Sequence, residues 1–149
     1  MVFGFPWWKK NWTLSNEFIQ NFGRSKSESD SVMKYICSKV KLHDIVVIQE
    51  VSTSEFGAQA VAKLDGLLDR TGTSWDYVVS DPTTGPGSER YAYLYKKSRV
   101  KLKESGLEKT LQDKINREPF RAVFIFKKNE YFKNFTRNFY IYKSRNMYL

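Results

Sequence analysis

The feature that most constrains the fold is the apolar run at residues 45–48, four consecutive valines and isoleucines preceded by Asp44. A continuous β-branched run of this kind is typical of a central strand that is buried on both faces. Gln49 and Glu50 follow it directly. Because α/β proteins usually carry their functional groups at the carboxyl ends of such strands, Glu50 is the first candidate for a functional side chain. The alternative is a surface glutamate that begins a loop.

The segments around this strand alternate between strand and helix patterns. Apolar side chains recur at helical spacing over residues 31–41, where Ser29 or Asp30 can act as N-cap, and again over residues 57–70. Further strands are predicted over residues 12–20, 75–80, 91–95, 100–102 and 120–126, with a hairpin-like connection at 96–98. Residues 24–31 are predicted to be a loop, and 106–116 to be weakly structured. The fold class is therefore α/β (α+β), a layered domain with a mixed sheet in which an intervening helix favours a parallel strand pair.

The charge of the chain is +9, and its distribution bears on the partner. Residues 127–149 contain six basic residues and one glutamate, so this tail carries +5 and the rest of the chain carries +4. A basic-aromatic tail can bind nucleic acid, because cations follow phosphates and aromatic rings stack on bases. The alternatives are a poorly ordered end or translation past a damaged reading frame, since no periodicity is visible in the tail.

Membrane and redox signals are few in this sequence. No apolar stretch approaches the length of about 18 residues that a membrane span requires, and residues 1–12 lack the layout of a signal peptide. Cys37 is the only cysteine, so no internal disulfide is expected. A cytoplasmic location is slightly favoured, although a secreted protein without disulfides would have the same composition.

Two further short segments carry side chains suited to phosphate chemistry. Glu89, between a Gly/Pro loop and an apolar strand, could orient a histidine that acts as general base or acid, or could form a surface ion pair with Arg90. Arg117 lies in Arg-Glu-Pro, before the next strand, and arginine binds phosphate through two parallel hydrogen bonds. A charge at a strand edge is the alternative for Arg117.

Taken in order, five segments resemble the endonuclease/exonuclease/phosphatase superfamily, specifically its deoxyribonuclease I-like branch. The segments are residues 19–23, 44–51, 75–82, 88–91 and 117–119. The resemblance covers roughly residues 12–126 and implies the N-terminal half of such a domain. It makes no statement on whether the basic-aromatic tail at 127–149 is ordered. It implies a Mg²⁺-assisted hydrolysis of a phosphodiester, most readily DNA, by activated water.

The resemblance also implies roles for particular residues. Glu50 corresponds to the metal-ligating glutamate, and Glu89 to the glutamate that pairs with a catalytic histidine. Arg117 corresponds to an arginine near the substrate phosphate, and Arg90 is a second candidate for substrate binding.

Several positions depart from the family pattern. Phe18 stands where an asparagine near the metal is expected, Ser52 replaces an arginine, and Gly87 replaces a tyrosine, so the resemblance does not extend to minor-groove contacts. The only histidine, His43, matches neither catalytic histidine. Without such a base a water nucleophile loses roughly 10²–10⁴-fold in rate.

We therefore expect a truncated nuclease-type chain with little or no activity. One alternative is a non-catalytic nucleic-acid-binding module that uses the basic tail. A second keeps the fold but acts on a phosphate ester such as an inositol phosphate or a phospholipid head group.

Overall fold

A computed structural model describes residues 14–17, 21–111, 117–127 and 135–141. The helices are α1 (Arg24–Ser27), α2 (Asp30–Val40) and α3 (Glu55–Asp69), and a short 3₁₀ helix spans Lys109–Leu111. The strands are β1 (Leu14–Glu17), β2 (Ile45–Val51), β3 (Trp75–Val79), β4 (Arg90–Lys96), β5 (Val100–Leu107), β6 (Phe120–Phe126) and β7 (Phe135–Ile141).

The strands form two sheets. The first has the order β1-β2-β4-β3, in which β1 and β2 are parallel and both β2 and β3 are antiparallel to β4. The second sheet, β5-β6-β7, is antiparallel throughout. The predicted fold class is confirmed, and the parallel pair joined through helices is β1–β2.

Two apolar clusters lie on opposite faces of the first sheet. Val46, Ile48 and Leu94 face α2 and α3, whereas Ile45, Val47 and the tyrosines of β4 face the second sheet. This two-sided burial is why the run at 45–48 is apolar without alternation. The strand predicted to be central is therefore buried on both faces, and it carries Glu50 to one end of the sheet.

Helix α2 begins where the sequence predicts it. Ser29 is its N-cap and accepts a hydrogen bond from the backbone N–H of Val32, at 3.5 Å. Helix α3 begins two residues earlier than expected, at Glu55. Of its apolar side chains, Ala60, Val61, Leu64 and Leu68 are buried and Leu67 is partly buried.

Three local predictions were wrong. The segment after Gly23 forms the short helix α1 instead of a loop. Residues 96–98 do not close a hairpin, because β4 pairs within the first sheet and β5 pairs with β6 in the second. Strand β5 also extends to Leu107, and its mostly exposed polar side chains concealed it in the sequence.

Part of the basic tail is a strand. β7 pairs with the whole length of β6, from Phe135 opposite Phe126 to Ile141 opposite Phe120. Phe139 packs against the cluster between the sheets. Residues 128–134 and 142–149 of the tail, and the predicted strand positions 12–13 and 18–20, lie outside the described residues. Within the described part of the chain, no helix is long and apolar enough to cross a membrane.

Candidate active site

The end of β2 is distorted at Glu50. The pairing of β2 with β4 shifts register between Ile48 and Val51, and Glu50 has a φ of 54°, in the left-handed region that side chains other than glycine rarely adopt. The backbone of Phe22 stabilises this bulge, because its N–H donates to the Glu50 carbonyl at 2.9 Å and its carbonyl accepts from Ser52 N–H at 2.9 Å. Bulges and strained residues are over-represented at active sites, where they aim a particular side chain.

The carboxylate of Glu50 is half-buried and faces the turn after β1. The backbone N–H of Asn21 donates to Oε2 of Glu50 at 3.2 Å. Asn21 itself has a φ of 50°, a conformation that asparagine tolerates better than most residues. Two residues with positive φ, Asn21 and Glu50, are therefore joined by this hydrogen bond.

An open cleft of about 420 Å³ adjoins this position. Its lining residues are Asn21, Gly23, Arg24, Ser25, Glu28 and Ser52. Asn21 contacts Glu50 directly through its hydrogen bond, and Ser52 follows Glu50 by two residues in the chain. Arg24 forms an exposed ion pair with Glu28, with Nε 2.7 Å from Oε1.

Two glycines bring the backbone close to the turn that follows Glu50. A Cβ atom added at Gly57 would lie 1.9 Å from the carbonyl oxygen of Ser52. One added at Gly23 would lie 2.9 Å from the Cβ of Ser52. The start of α3 and the turn before α1 therefore close on Ser52 from two sides, and this contact fixes the path of the chain just past Glu50.

Glu89 and Arg117 form an ion pair at the entry to β4. Nη1 of Arg117 donates to Oε2 of Glu89 at 3.0 Å. Glu89 is only 7% exposed, while the Arg117 side chain is 24% exposed and reaches solvent. The two candidate residues, which are 28 positions apart, are thus in direct contact.

Arg90 points elsewhere. Its Nη1 donates to the backbone carbonyl of Ser80 at 3.4 Å, and the ion pair of Glu89 is made with Arg117. Adjacent residues of a strand project to opposite faces, which separates the side chain of Arg90 from that of Glu89. The alternative of a Glu89–Arg90 surface ion pair is therefore replaced by the Glu89–Arg117 pair.

Glu118, which the sequence did not single out, is fully buried. Its Oε2 accepts from the Thr84 N–H at 3.0 Å, and its Oε1 accepts from the Thr84 hydroxyl at 2.5 Å. Burial raises the pKa of Glu118, but the hydrogen bonds from Thr84 outweigh it, and the pKa lies below its ordinary value. The ionised carboxylate thus fastens the loop before β4 to the start of β6.

The candidate residues share one end of the first sheet. Val51 is the Cα partner of Arg90, so the neighbouring residues Glu50 and Glu89 lie at the same end of the paired strands β2 and β4. His43 precedes the opposite end of β2. At about 3.3 Å per strand residue it is separated from Glu50 by about 20 Å. His43 is therefore remote from the end of the sheet that carries Glu50, as expected for a histidine that corresponds to neither catalytic histidine of the family.

The donor set at this end of the first sheet can supply one carboxylate ligand to a divalent cation, that of Glu50. Within the described residues no group of three or more histidine, cysteine, aspartate or glutamate side chains could hold a metal ion. Mg²⁺, however, is often bound by one or two carboxylates, with waters and substrate phosphate completing its shell. Glu50, whose carboxylate accepts a hydrogen bond from Asn21 in the lining of the open cleft, can supply one such carboxylate.

The chain is similar in sequence to several curated proteins. It is 36% identical to human deoxyribonuclease-1 over 109 residues, which are 68% of this chain and 38% of that protein. Bovine deoxyribonuclease-1 is 36% identical over 114 residues, covering 71% and 39%. Rat deoxyribonuclease gamma is 31% identical over 113 residues, covering 71% and 36%. The chain spans about two fifths of the length of these relatives, and no family model matches it.

The fold is also found among solved structures. The human Nocturnin catalytic domain, determined with a bound sulfate anion, superposes with a TM-score of 0.55 at 15% identity. The superposition covers 93% of this chain and 53% of that domain. Together with the sequence relatives, this match confirms the resemblance to the deoxyribonuclease I-like branch of the superfamily, over part of its length.

Proposed function

Because this chain is a relative of the deoxyribonuclease I-like branch of the endonuclease/exonuclease/phosphatase superfamily, we propose that it carries part of a Mg²⁺-assisted nuclease site. In this proposal Glu50 is a metal ligand, Arg117 binds the substrate phosphate, and Glu89 belongs to the catalytic group. Arg90 contributes to substrate binding through its charge at the same edge. The substrate is a nucleic-acid phosphodiester, with DNA the first choice.

The observation that carries the proposal is the common position of these groups. Glu50 is the penultimate residue of β2, and Glu89 directly precedes β4, its neighbour in the first sheet. Arg117, which precedes β6 of the second sheet, forms an ion pair with Glu89. A carboxylate can hold a cation that stabilises charge on a phosphate, and a guanidinium can bind the phosphate itself, so the two groups are complementary in a phosphodiesterase site. The backbone strain at Glu50 supports this assignment, because such strain recurs at functional positions.

Each residue has a definite task in this proposal. Bound Mg²⁺ would stabilise the negative charge that develops on the phosphate oxygens. Glu50 would hold it beside the cleft, and the Asn21 N–H would orient the carboxylate. Arg117 would grip a phosphate oxygen while Glu89 fixes its guanidinium. Positioning of the phosphate supplies a large part of the rate enhancement in such sites.

We further propose that hydrolysis by this chain alone is weak or absent. The only histidine lies about 20 Å from Glu50, too far to activate a water molecule there. Glu89 therefore lacks, within these 149 residues, the histidine that its family role requires. Binding of metal and phosphate and catalysis of hydrolysis are thus separate properties of this chain.

Plasmid cleavage tests the catalytic part. Purified protein and Glu50→Ala are incubated with supercoiled plasmid in Mg²⁺ and in EDTA, with bovine deoxyribonuclease-1 as the positive control. We expect neither to nick the plasmid above background. Strong Mg²⁺-dependent nicking that Glu50→Ala abolishes would refute the proposed inactivity, and nicking that survives Glu50→Ala would refute the role of Glu50.

A second candidate is a nucleic-acid-binding module without catalysis. It is favoured by the net charge of +9 and by Tyr140 on β7, which is 56% exposed. Because β7 completes the second sheet, deletion of the tail would also uncover β6, and Tyr140→Ala is the cleaner variant. Steep salt dependence of oligonucleotide affinity, with a loss on Tyr140→Ala, supports this candidate, and salt-insensitive binding removes it.

A further inference from the structure

The loop between β3 and β4 is closed by its own hydrogen bonds. The Thr83 N–H donates to the Glu89 carbonyl at 3.0 Å, and the Glu89 N–H donates to the Thr83 hydroxyl at 3.1 Å. The Ser88 hydroxyl donates to the Thr83 carbonyl at 2.5 Å. Thr83 is 3% exposed, so the base of the loop is part of the interior. The positions of residues 84–88 are set by this closure.

The same loop is fixed to the segment that carries Arg117. Glu118 holds Thr84 through two hydrogen bonds and is fully buried. Arg117 is its chain neighbour, and it reaches back over the loop to Glu89. The loop and the segment of Arg117 are therefore joined at two places, by the Glu118–Thr84 hydrogen bonds and by the Arg117–Glu89 ion pair.

Gly87 lies in close contact with the guanidinium of Arg117. Its φ is +68°, and a Cβ atom added there would lie 2.9 Å from Nη2 of Arg117. The other terminal nitrogen, Nη1, donates to Glu89 at 3.0 Å. The absence of a side chain at residue 87 thus leaves room for the guanidinium at the place from which it pairs with Glu89.

We propose that Gly87 is a positioning residue, whose missing side chain sets the guanidinium of Arg117 against Glu89 and towards the substrate phosphate. The phosphate part of this inference rests on the function proposed above. Because residue 87 has no side chain, the partly exposed group at this place is the guanidinium of Arg117, which is suited to bind a phosphate oxygen. Recognition through Arg117 is accordingly independent of nucleotide sequence.

A matched pair of glycine variants tests the inference. Gly87→Ala and Gly72→Ala both place a Cβ on a residue with positive φ, but a Cβ at Gly72 would meet nothing within 4 Å. Both variants therefore suffer the same kind of backbone strain, and only Gly87→Ala displaces Arg117. Nitrogen-15 NMR of the Arg117 Nε–Hε group reports the guanidinium, and titration with a dithymidine phosphodiester reports phosphate affinity.

We expect Gly87→Ala to shift the Arg117 signal and to weaken binding of the dithymidine phosphodiester by about tenfold, as lost hydrogen bonds to a charged group imply. Gly72→Ala should change neither the Arg117 signal nor the affinity for the dithymidine phosphodiester. An unshifted Arg117 signal in folded Gly87→Ala would overturn the inference.

A double variant separates failure of this inference from failure of the proposed function. If Gly87→Ala moves the Arg117 signal but Arg117→Ala does not weaken phosphodiester binding, the positioning is upheld and the phosphate role is refuted. If Arg117→Ala weakens binding, then adding Gly87→Ala to it should cause no further loss. A further tenfold loss in the double variant would mean that Gly87 acts without Arg117, which would overturn the inference.

Discussion

Replacing Gly57 by alanine tests whether the turn after Glu50 depends on the close approach of α3. The new Cβ would lie 1.9 Å from the carbonyl oxygen of Ser52, whereas ordinary contacts begin at 3.4 Å, so one backbone must move by the difference, 1.5 Å. Overpacking of this kind costs about 1–3 kcal/mol, and alanine recovers at most about 1 kcal/mol through its helix propensity. Because an approach of 1.9 Å to a backbone oxygen belongs at the upper end of that cost, we expect a net loss of about 2 kcal/mol.

Gly66 provides the control within the same helix. A Cβ atom there would have one neighbour, Nη1 of Arg70, at 4.0 Å. Gly66→Ala should therefore stabilise the protein by about 0.5–1 kcal/mol, so the two substitutions have opposite signs. Urea unfolding followed by circular dichroism measures both, and thermal unfolding should show a Tm lowered by about 6 °C for Gly57→Ala. A Gly57→Ala protein as stable as the unsubstituted chain would refute the packing argument.

Three other substitutions test charges in the structure. Because the pKa of Glu118 lies below its ordinary 4.5, ionisation adds stability that is complete above that value and is lost as the pH falls. Glu118→Gln should therefore reduce the loss of urea stability as the pH falls below 4.5. A pH dependence identical to that of the unsubstituted protein would contradict this expectation. Burial and two neighbouring aspartates raise the pKa of Asp65 from 3.8 to about 6, so its contribution to stability is lost as the pH rises through that range. Asp65→Asn should stabilise the protein by about 1 kcal/mol at pH 8, where the carboxyl group is ionised and solvent screens part of the cost, and should have no effect near pH 4. Equal changes in stability at pH 8 and pH 4 would refute the raised pKa of Asp65. Arg117→Met should lower the free energy of unfolding by about 3 kcal/mol, because it leaves the buried carboxylate of Glu89 without its guanidinium. Calorimetry measures this change, and a loss below about 0.5 kcal/mol would show that the pair behaves as a surface ion pair.

The strands and helices with strong apolar patterns were predictable from the sequence. The run at 45–48 indicated a strand buried on both faces, and it lies between two apolar clusters. Strand β6 has the predicted bounds, and α2 starts at its predicted cap. These elements were accessible because local burial and hydrogen bonding determine them.

Features that depend on distant residues were not accessible. Strand β7 carries polar and aromatic side chains in no regular order, and its pairing with β6, which no local pattern indicates, is what identifies it as a strand. The Glu118–Thr84 hydrogen bonds join residues 34 positions apart, and no local signal marks either residue. The left-handed backbone of Glu50 arises from the bulge opposite β4 and from the contact with Phe22, which a single strand pattern does not encode.

The central claim is that Glu50 binds a divalent cation at the end of β2. Mn²⁺, a paramagnetic substitute for Mg²⁺, can be titrated into nitrogen-15-labelled protein, with Glu50→Gln as the matched variant. We predict that the amide signals of Asn21, Glu50 and Ser52 broaden first, that excess Mg²⁺ restores them, and that Glu50→Gln abolishes the effect. Broadening that is centred elsewhere, or that persists unchanged in Glu50→Gln, would contradict the claim.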